Sequence, residues 1–173
     1  GLIELLNNKL INFDTGANIF SYNVRNPSAY GVIEQNKTKI KIIEKPKKTN
    51  STKAITGLYF FDKNASRLSS KLKKSKRGEL EIIDLIKIYL KKNKLTITEL
   101  GRGSAWLDTG TSKDILKAGN YIEIIEERQN QKIACIEEIS YRKKWINKKL
   151  LTRRINFYGK SDYSSYLTGI LKE

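Results

Sequence analysis

The run from Ala54 to Phe61, Ala-Ile-Thr-Gly-Leu-Tyr-Phe-Phe, constrains the fold more than any other stretch. It has the β-branched and aromatic residues of a strand and almost no polarity. Such a strand has no wet face, so it predicts a central, buried position in a sheet with other elements on both sides. The surrounding chain supplies them. Ala17 to Val24 reads as a strand, and Asn26-Pro27 as a turn. Tyr30 to Glu34 and Thr38 to Glu44 read as a hairpin around Asn36-Lys37, the second arm alternating Lys with Ile. Leu95 to Leu100 is a further β-like run.

Helical patterns fill the rest. Asp62-Lys63-Asn64 predicts a cap for a helix to about Leu72. Glu79 to Lys92 follows, with Ile82, Ile83, Leu85, Ile86, Tyr89 and Leu90 on the apolar side. Ser112 to Gln129 carries a stripe of Ile115, Leu116, Ala118, Ile122 and Ile125, with Thr111 or Ser112 as N-cap. Residues 2 to 10 read as the end of a helix. Ile136 to Glu173 holds three short helical patterns, with Tyr141, Trp145, Leu150, Tyr163, Tyr166, Leu167 and Leu171 as expected core. Strands early, helices late and βα alternation between them predict an α/β fold with a mixed sheet and a helical C-terminal region.

Several segments carry chemistry. Gly101 to Thr111 has glycines at 101 and 103, a short apolar piece Ala105-Trp106-Leu107 expected to extend as strand, and the carboxylate of Asp108 before Thr109-Gly110-Thr111. An acid there suits a hard cation or caps a turn. Glu44-Lys45-Pro46 ends a strand, where Pro46 predicts an extended Lys45. An acid beside an ammonium suits a phosphorylated, hydroxylated ligand, or is a solvated pair. Arg77 precedes a helix, and its guanidinium suits bidentate anion binding. Glu79, Glu81 and Asp84 favour that helix's N-terminus electrostatically.

The net charge of +16 raises nucleic-acid binding, but the lysines are spread along the chain, so no specific nucleic-acid partner is expected. There is no apolar run of membrane-span length, so no membrane partner is expected. The single Cys135 excludes an internal disulfide, and a chain without His gives that thiol no imidazole to activate it. A cytoplasmic setting is expected.

Taken whole, Gly-Arg-Gly-Ser-Ala-Trp-Leu-Asp-Thr-Gly-Thr, Glu-Lys-Pro, Ile-Thr-Gly-Leu-Tyr, Arg-Gly-Glu-Leu-Glu-Ile-Ile-Asp and Ile-Ala-Cys-Ile-Glu-Glu-Ile resemble segments of the glucose-1-phosphate thymidylyltransferases. These belong to the sugar nucleotidyltransferases and have a Rossmann-like fold. The resemblance implies formation of dTDP-glucose and pyrophosphate from dTTP and glucose 1-phosphate, with Mg²⁺ as cofactor and a homotetrameric assembly. It implies Asp108 as metal ligand and Lys45 and Arg77 as catalytic residues on the sugar phosphate. Gly31, Glu44, Ile55 and Tyr59 would complete the hexose pocket. A second, regulatory nucleotide site would use Arg102, Ala134, Glu138, Ile139 and Arg142.

Departures from the family pattern are Ile55 for Val, Ile83 for Thr, Ile136 for Pro, and a hairpin two residues shorter than usual. The resemblance further implies that the chain is a C-terminal portion. It lacks the Gly-rich triphosphate loop and a second metal-binding Asp, so it is expected to be inactive alone. Residues 1–130 would be the sugar-phosphate and metal part, and 131–173 a regulatory or oligomer-forming region. A UTP-using sibling enzyme and a non-catalytic sugar-phosphate or nucleotide binder remain alternatives.

Overall fold

A computed structural model describes residues 15–36, 39–75 and 77–173. The helix expected over residues 2–10 lies outside them. Two compact units are present, Gly1–Trp106 and Leu107–Glu173. The helix Ser112–Gln129, grouped with the first part in the sequence division at residue 130, falls in the second unit.

The first unit is built on five strands: β1 (Ala17–Asn23), β2 (Gly31–Gln35), β3 (Ile40–Glu44), β4 (Lys53–Phe61) and β5 (Leu95–Glu99). Their order in the sheet is β3-β2-β4-β1-β5, so the apolar run is central as its composition requires. Among the described residues only the β1–β5 pairing is parallel, which makes the sheet mixed. The hairpin register runs from Gly31 opposite Glu44 to Gln35 opposite Ile40.

β4 is irregular in a consequential way. Tyr59 faces Ile19 and Ile55 faces Ser21, so Thr56, Gly57 and Leu58 together oppose Phe20. This is a β-bulge at the glycine inside the strand. The Thr56 hydroxyl donates to the Phe20 carbonyl at 3.1 Å and ties the bulge down. On its other side β4 meets β2 in register only at Ala54 opposite Val32. Ala54 to Thr56 are therefore buried, Gly57 is exposed, and Leu58 to Phe61 are half-buried.

Helix α1 (Ala65–Ser69) is shorter than expected, and helix α2 (Ile82–Lys91) packs on the sheet. Ile83 and Ile86 join Ile19, Ile33, Ile42 and Ile55 in one apolar cluster. Leu85 and Tyr89 join Ala17 and Leu68 in a second. Ile82, expected inside, is 38% exposed because the helix turns its 83–86–89 side to the sheet. Asp62 does not cap α1 by its side chain at the helix itself. It is buried and accepts from the Gly16 N–H (2.8 Å), the Tyr89 hydroxyl (2.7 Å) and the Asn64 N–H (2.9 Å). Burial alone would raise its pKa, but these donors outweigh it and hold the carboxyl down at about 2. Burial and the Asp62 carboxylate push Tyr89 up to about 12.

The second unit contains α3 (Ser112–Gln129), α4 (Ile136–Arg142), α5 (Lys148–Tyr158) and α6 (Asp162–Lys172). Thr111 caps α3, its hydroxyl accepting from the Asp114 N–H at 3.2 Å. Of the expected α3 stripe only Ala118 is buried, and Ile115 and Leu116 are more than half exposed. Cys135, Leu151, Leu167 and Ile170 form the unit's core. Two expected core residues lie outside it: Trp145 is 72% and Leu150 is 45% exposed. On α5 the inward stripe is Leu151, Ile155 and Tyr158, spaced by four and three. That spacing turns Leu150 and Phe157 outward. Ile136 occupies the first position of α4, where proline is favoured, and the helix forms with isoleucine there. Among the described residues no helix is long and apolar enough to cross a membrane.

Candidate functional site

The open end of the β2–β3 hairpin gathers most of the residues singled out for sugar-phosphate chemistry. Gly31 opens β2 opposite Glu44, the last residue of β3. A Cβ on Gly31 would lie 2.7 Å from Ile83 Cδ1 and 3.3 Å from a Glu44 carboxylate oxygen. Glycine is required here by the close approach of α2 and Glu44 to the strand. The half-buried Tyr59 of β4 stands near Glu44: burial raises its pKa, and the Glu44 charge raises it further. Ile55 is buried in the same cluster as Ile83, so its side chain is core and only its backbone is left for a ligand.

Lys45 departs from expectation. Its φ is +40°, not extended, although proline follows. The Lys45 N–H donates to the Tyr30 carbonyl at 3.0 Å, adding a bond beyond the hairpin ladder while the chain turns away toward buried Pro46. A non-glycine residue held there carries local strain of roughly 1 kcal/mol or more. Its ammonium is exposed and makes no ion pair with a described residue.

Arg77 reaches this end of the hairpin. Its guanidinium lies 3.6 Å from Glu44, 3.0 Å from Glu79 and 3.6 Å from Glu81. Glu81, only 14% exposed, accepts from the Ser75 hydroxyl at 2.9 Å, and that hydroxyl also accepts from the Arg77 N–H at 3.1 Å. Sequence reasoning treated Glu79 and Glu81 as helix-dipole residues and missed that they, with Ser75, hold Arg77. The four-residue spacing of Arg77 and Glu81 is a local signal for part of this, whereas the contact with Glu44 spans a large sequence separation and has none. The bulge was not anticipated either, although a glycine inside a strand pattern, Gly57, is its sequence signal.

The Gly101–Thr111 segment is not strand. Leu100 N–H still bonds to the Ser21 carbonyl, but Ser104 N–H closes a turn onto Gly101. Trp106 leaves the strand direction because its ring packs edge-on against Tyr30 (5.0 Å between centroids) and against Tyr22 (6.1 Å). Tyr22 also donates its hydroxyl to the Ser104 carbonyl at 3.1 Å. Asp108 follows in an exposed loop and belongs to the second unit. One of its carboxylate oxygens lies 3.4 Å from where a Gly110 Cβ would stand, so Gly110 leaves that oxygen uncovered. Among the described residues no cluster of three metal-ligating side chains exists, so Asp108 stands as a single carboxylate of hard oxygens.

The residues of the expected regulatory site are divided. Arg102 lies in the exposed loop of the first unit. In the second unit, Glu138 and Arg142 line a cavity of about 820 Å³ with Lys132, Tyr166 and Glu173. Arg142 is engaged there by Glu138 (2.7 Å) and Glu173 (2.6 Å), and Tyr166 donates to Glu138. Ala134 has φ +56° ahead of α4, and Ile139 is 40% exposed. Cys135 is buried, its sulfur 3.1 Å from the Tyr163 hydroxyl.

A family model described as nucleotidyl transferase matches residues 7–124. Glucose-1-phosphate thymidylyltransferase of Neisseria meningitidis is 42% identical over 160 residues, covering 91% of this chain and 56% of that protein. The Xanthomonas campestris protein of the same name is 46% identical over 161 residues, 92% of this chain and 55% of its own length. A Bacillus anthracis crystal structure assigned as a glucose-1-phosphate thymidylyltransferase, in complex with sucrose, superposes with a TM-score of 0.56. It is 36% identical and covers 69% of this chain and 46% of its own. The chain thus spans about half the length of the curated relatives it matches. The family match takes in both the hairpin site and Asp108, and the chain belongs to the nucleotidyl transferase family.

Proposed function

We propose that this chain carries the sugar-phosphate half of a glucose-1-phosphate thymidylyltransferase. The observation that carries the reading is the meeting of Glu44 and Arg77 at the hairpin's open end, with the unpaired Lys45 next to Glu44. Glu44 accepts no hydrogen bond from a described residue, so its carboxylate is available to the hydroxyls of a hexose. Arg77 and Lys45 supply the cations that a phosphate beside that hexose needs. Gly31 keeps the wall behind the sugar thin, and Tyr59 gives it an apolar side.

In the reaction, a sugar phosphate oxygen attacks the α-phosphorus of the nucleotide and pyrophosphate leaves. The protein's part is positioning and charge neutralisation. Lys45 and Arg77 orient the attacking phosphate, and Glu44 fixes the ring that bears it. Asp108 would hold Mg²⁺, which neutralises charge on the phosphates when bound. The second unit's cavity, with Glu138 and Arg142 in its lining, is proposed as part of a regulatory nucleotide site, with Ala134 and Ile139 on the same unit. A ligand there would meet an Arg142 already held by Glu138 and Glu173.

Titration of the chain with glucose 1-phosphate, followed by protein NMR, tests the reading. Amide signals of Gly31, Lys45, Ile55 and Tyr59 should move together, with one binding constant. Shifts confined to residues 112–173, or none, would contradict it.

A further inference from the structure

Residues 139–161 contain eight Lys or Arg and no Asp or Glu. Two of these cations are engaged within the unit, Arg142 by Glu138 and Glu173, and Arg154 by Glu137. Lys143, Lys144, Lys148, Lys149 and Arg153 are exposed and form no ion pair with a described residue. Among them stand large apolar side chains that fold inward nowhere. Trp145 and Phe157 are each 72% exposed, and Leu150 45%. Ile146, Leu150 and Phe157, with the stems of Arg153 and Arg154, line a groove of about 450 Å³ on the outer side of α5.

An acid-free basic face with protruding Trp, Leu and Phe has the chemistry of an interfacial helix on an anionic surface. The apolar groups enter the acyl boundary while the cations meet lipid phosphates. We propose that the turn at Lys143–Trp145 and the outer face of α5 dock on an anionic lipid bilayer. Three features select a bilayer over other occupants. Single-stranded nucleic acid would need successive open aromatic faces for its bases, and this face offers only Trp145, because the Phe157 ring is covered by the Arg154 guanidinium at 4.8 Å and met by the Tyr158 ring at 5.4 Å. Aliphatic Ile146 and Leu150 also offer a base nothing specific. A second copy docking here about a two-fold axis would set this face against itself, five unpaired cations against five, with no carboxylate between residues 139 and 161 to relieve them. No spanning segment is needed for surface docking, and residues 139–161 are a contiguous acid-free basic run in a chain whose other lysines are spread along its length.

The test is co-sedimentation of the 173-residue chain with vesicles of phosphatidylcholine alone, or with about one third phosphatidylglycerol. Binding should need the anionic lipid and weaken with added salt. Tryptophan emission should shift to the blue, and Trp145→Phe should remove that shift. The pair Lys148→Glu and Lys149→Glu should weaken binding at least about tenfold, since each basic residue near the surface contributes roughly fivefold. Trp145→Ala with Phe157→Ala should weaken it about tenfold while circular dichroism stays unchanged. Lys73→Glu with Lys74→Glu, the same charge change on the other unit, should alter it less than about threefold. Equal loss from both charge reversals would overturn the proposal, because net charge alone would then explain binding. So would sedimentation on neutral vesicles alone, or none on either. Patch-dependent binding of polyuridylate or polyglutamate without vesicle binding would overturn it too. Patch-dependent self-association in light scattering, without vesicle binding, would do the same.

Discussion

Two glutamates, one in each unit, show how differently the same side chain is used. Glu137 of α4 is 9% exposed and saturated from within. It accepts from the hydroxyls of Tyr158 at 2.7 Å and Tyr163 at 2.6 Å, and from Arg154 at 3.3 Å. Burial pushes its pKa up, but these donors outweigh burial and the net shift is downward. Glu44 of β3 has one long ion pair, to Arg77 at 3.6 Å, and no hydrogen-bond donor among the described residues. A carboxylate that its own fold has satisfied is structural. One that the fold positions and leaves underused is available to a ligand. Of these two carboxylates, the second unit's is satisfied from within, whereas the first unit's stands at the open end of a hairpin.

If that contrast is right, the largest effect on folding should come from Glu137→Ala. It strands two tyrosine hydroxyls and a guanidinium, and should destabilise the second unit by about 3 kcal/mol. Denaturant unfolding with a probe in residues 107–173 measures it. Affinity for glucose 1-phosphate should not change, and a matching loss of affinity would break the comparison.

Gly31→Val comes next. The new side chain meets Ile83 Cδ1 and Glu44, so about 2–3 kcal/mol should be lost in the first unit, along with sugar-phosphate binding. Retained binding would mean that Glu44 is not placed by its fit against Gly31.

The first unit should also show acid sensitivity of its own. Asp62 has its folded pKa depressed to about 2, below the unfolded carboxyl. Its contribution is complete above the unfolded pKa of about 3.9 and is lost as pH falls from there through 2, to the extent of roughly 2 kcal/mol. Tyr89 works in the opposite direction. Its pKa is raised to about 12, so its contribution holds below about 10 and fades as pH rises through 12. Asp62→Asn should flatten the acid limb in stability measured from pH 2 to 5. An unchanged limb would contradict the assignment.

Glu44→Gln should have the smallest effect on stability, within about 0.5 kcal/mol, because a partly exposed, 3.6 Å ion pair is all that is lost. A cost similar to that of Glu137→Ala would erase the distinction between the two residues.

How much of this was legible in sequence depended on what each segment's neighbours do. The apolar run at Ala54–Phe61 and the Lys/Ile alternation of β3 carry their own burial pattern, so the central strand and the pairing of the two hairpin arms were legible, while the register itself was not. Leu150 was misplaced because a turn of helix offers two adjacent apolar stripes, and only packing against Leu167 and Ile170 selects Leu151; Trp145 was misplaced because it falls in the turn between α4 and α5, outside either helix face. The extended Ala105–Leu107 failed because local β propensity there is overridden by Trp106 packing on Tyr22 and Tyr30. Lys45 failed because the steric preference before proline gave way to a backbone hydrogen bond with Tyr30. Glu44, Gly31 and Arg77 were found through whole-motif resemblance. Their meeting required the fold.

The most direct measurement is a pair of titrations, glucose 1-phosphate and unphosphorylated glucose, on the wild-type chain, Glu44→Ala and Arg77→Ala. If Glu44 holds the hexose and Arg77 its phosphate, Glu44→Ala should weaken both ligands by a similar factor. Arg77→Ala should weaken glucose 1-phosphate about tenfold, as expected for a lost charge-assisted contact, and leave glucose unchanged. Loss of both ligands to the same extent in Arg77→Ala, or glucose 1-phosphate binding that ignores both substitutions, would contradict the assignment of this end of the hairpin as a sugar-phosphate site.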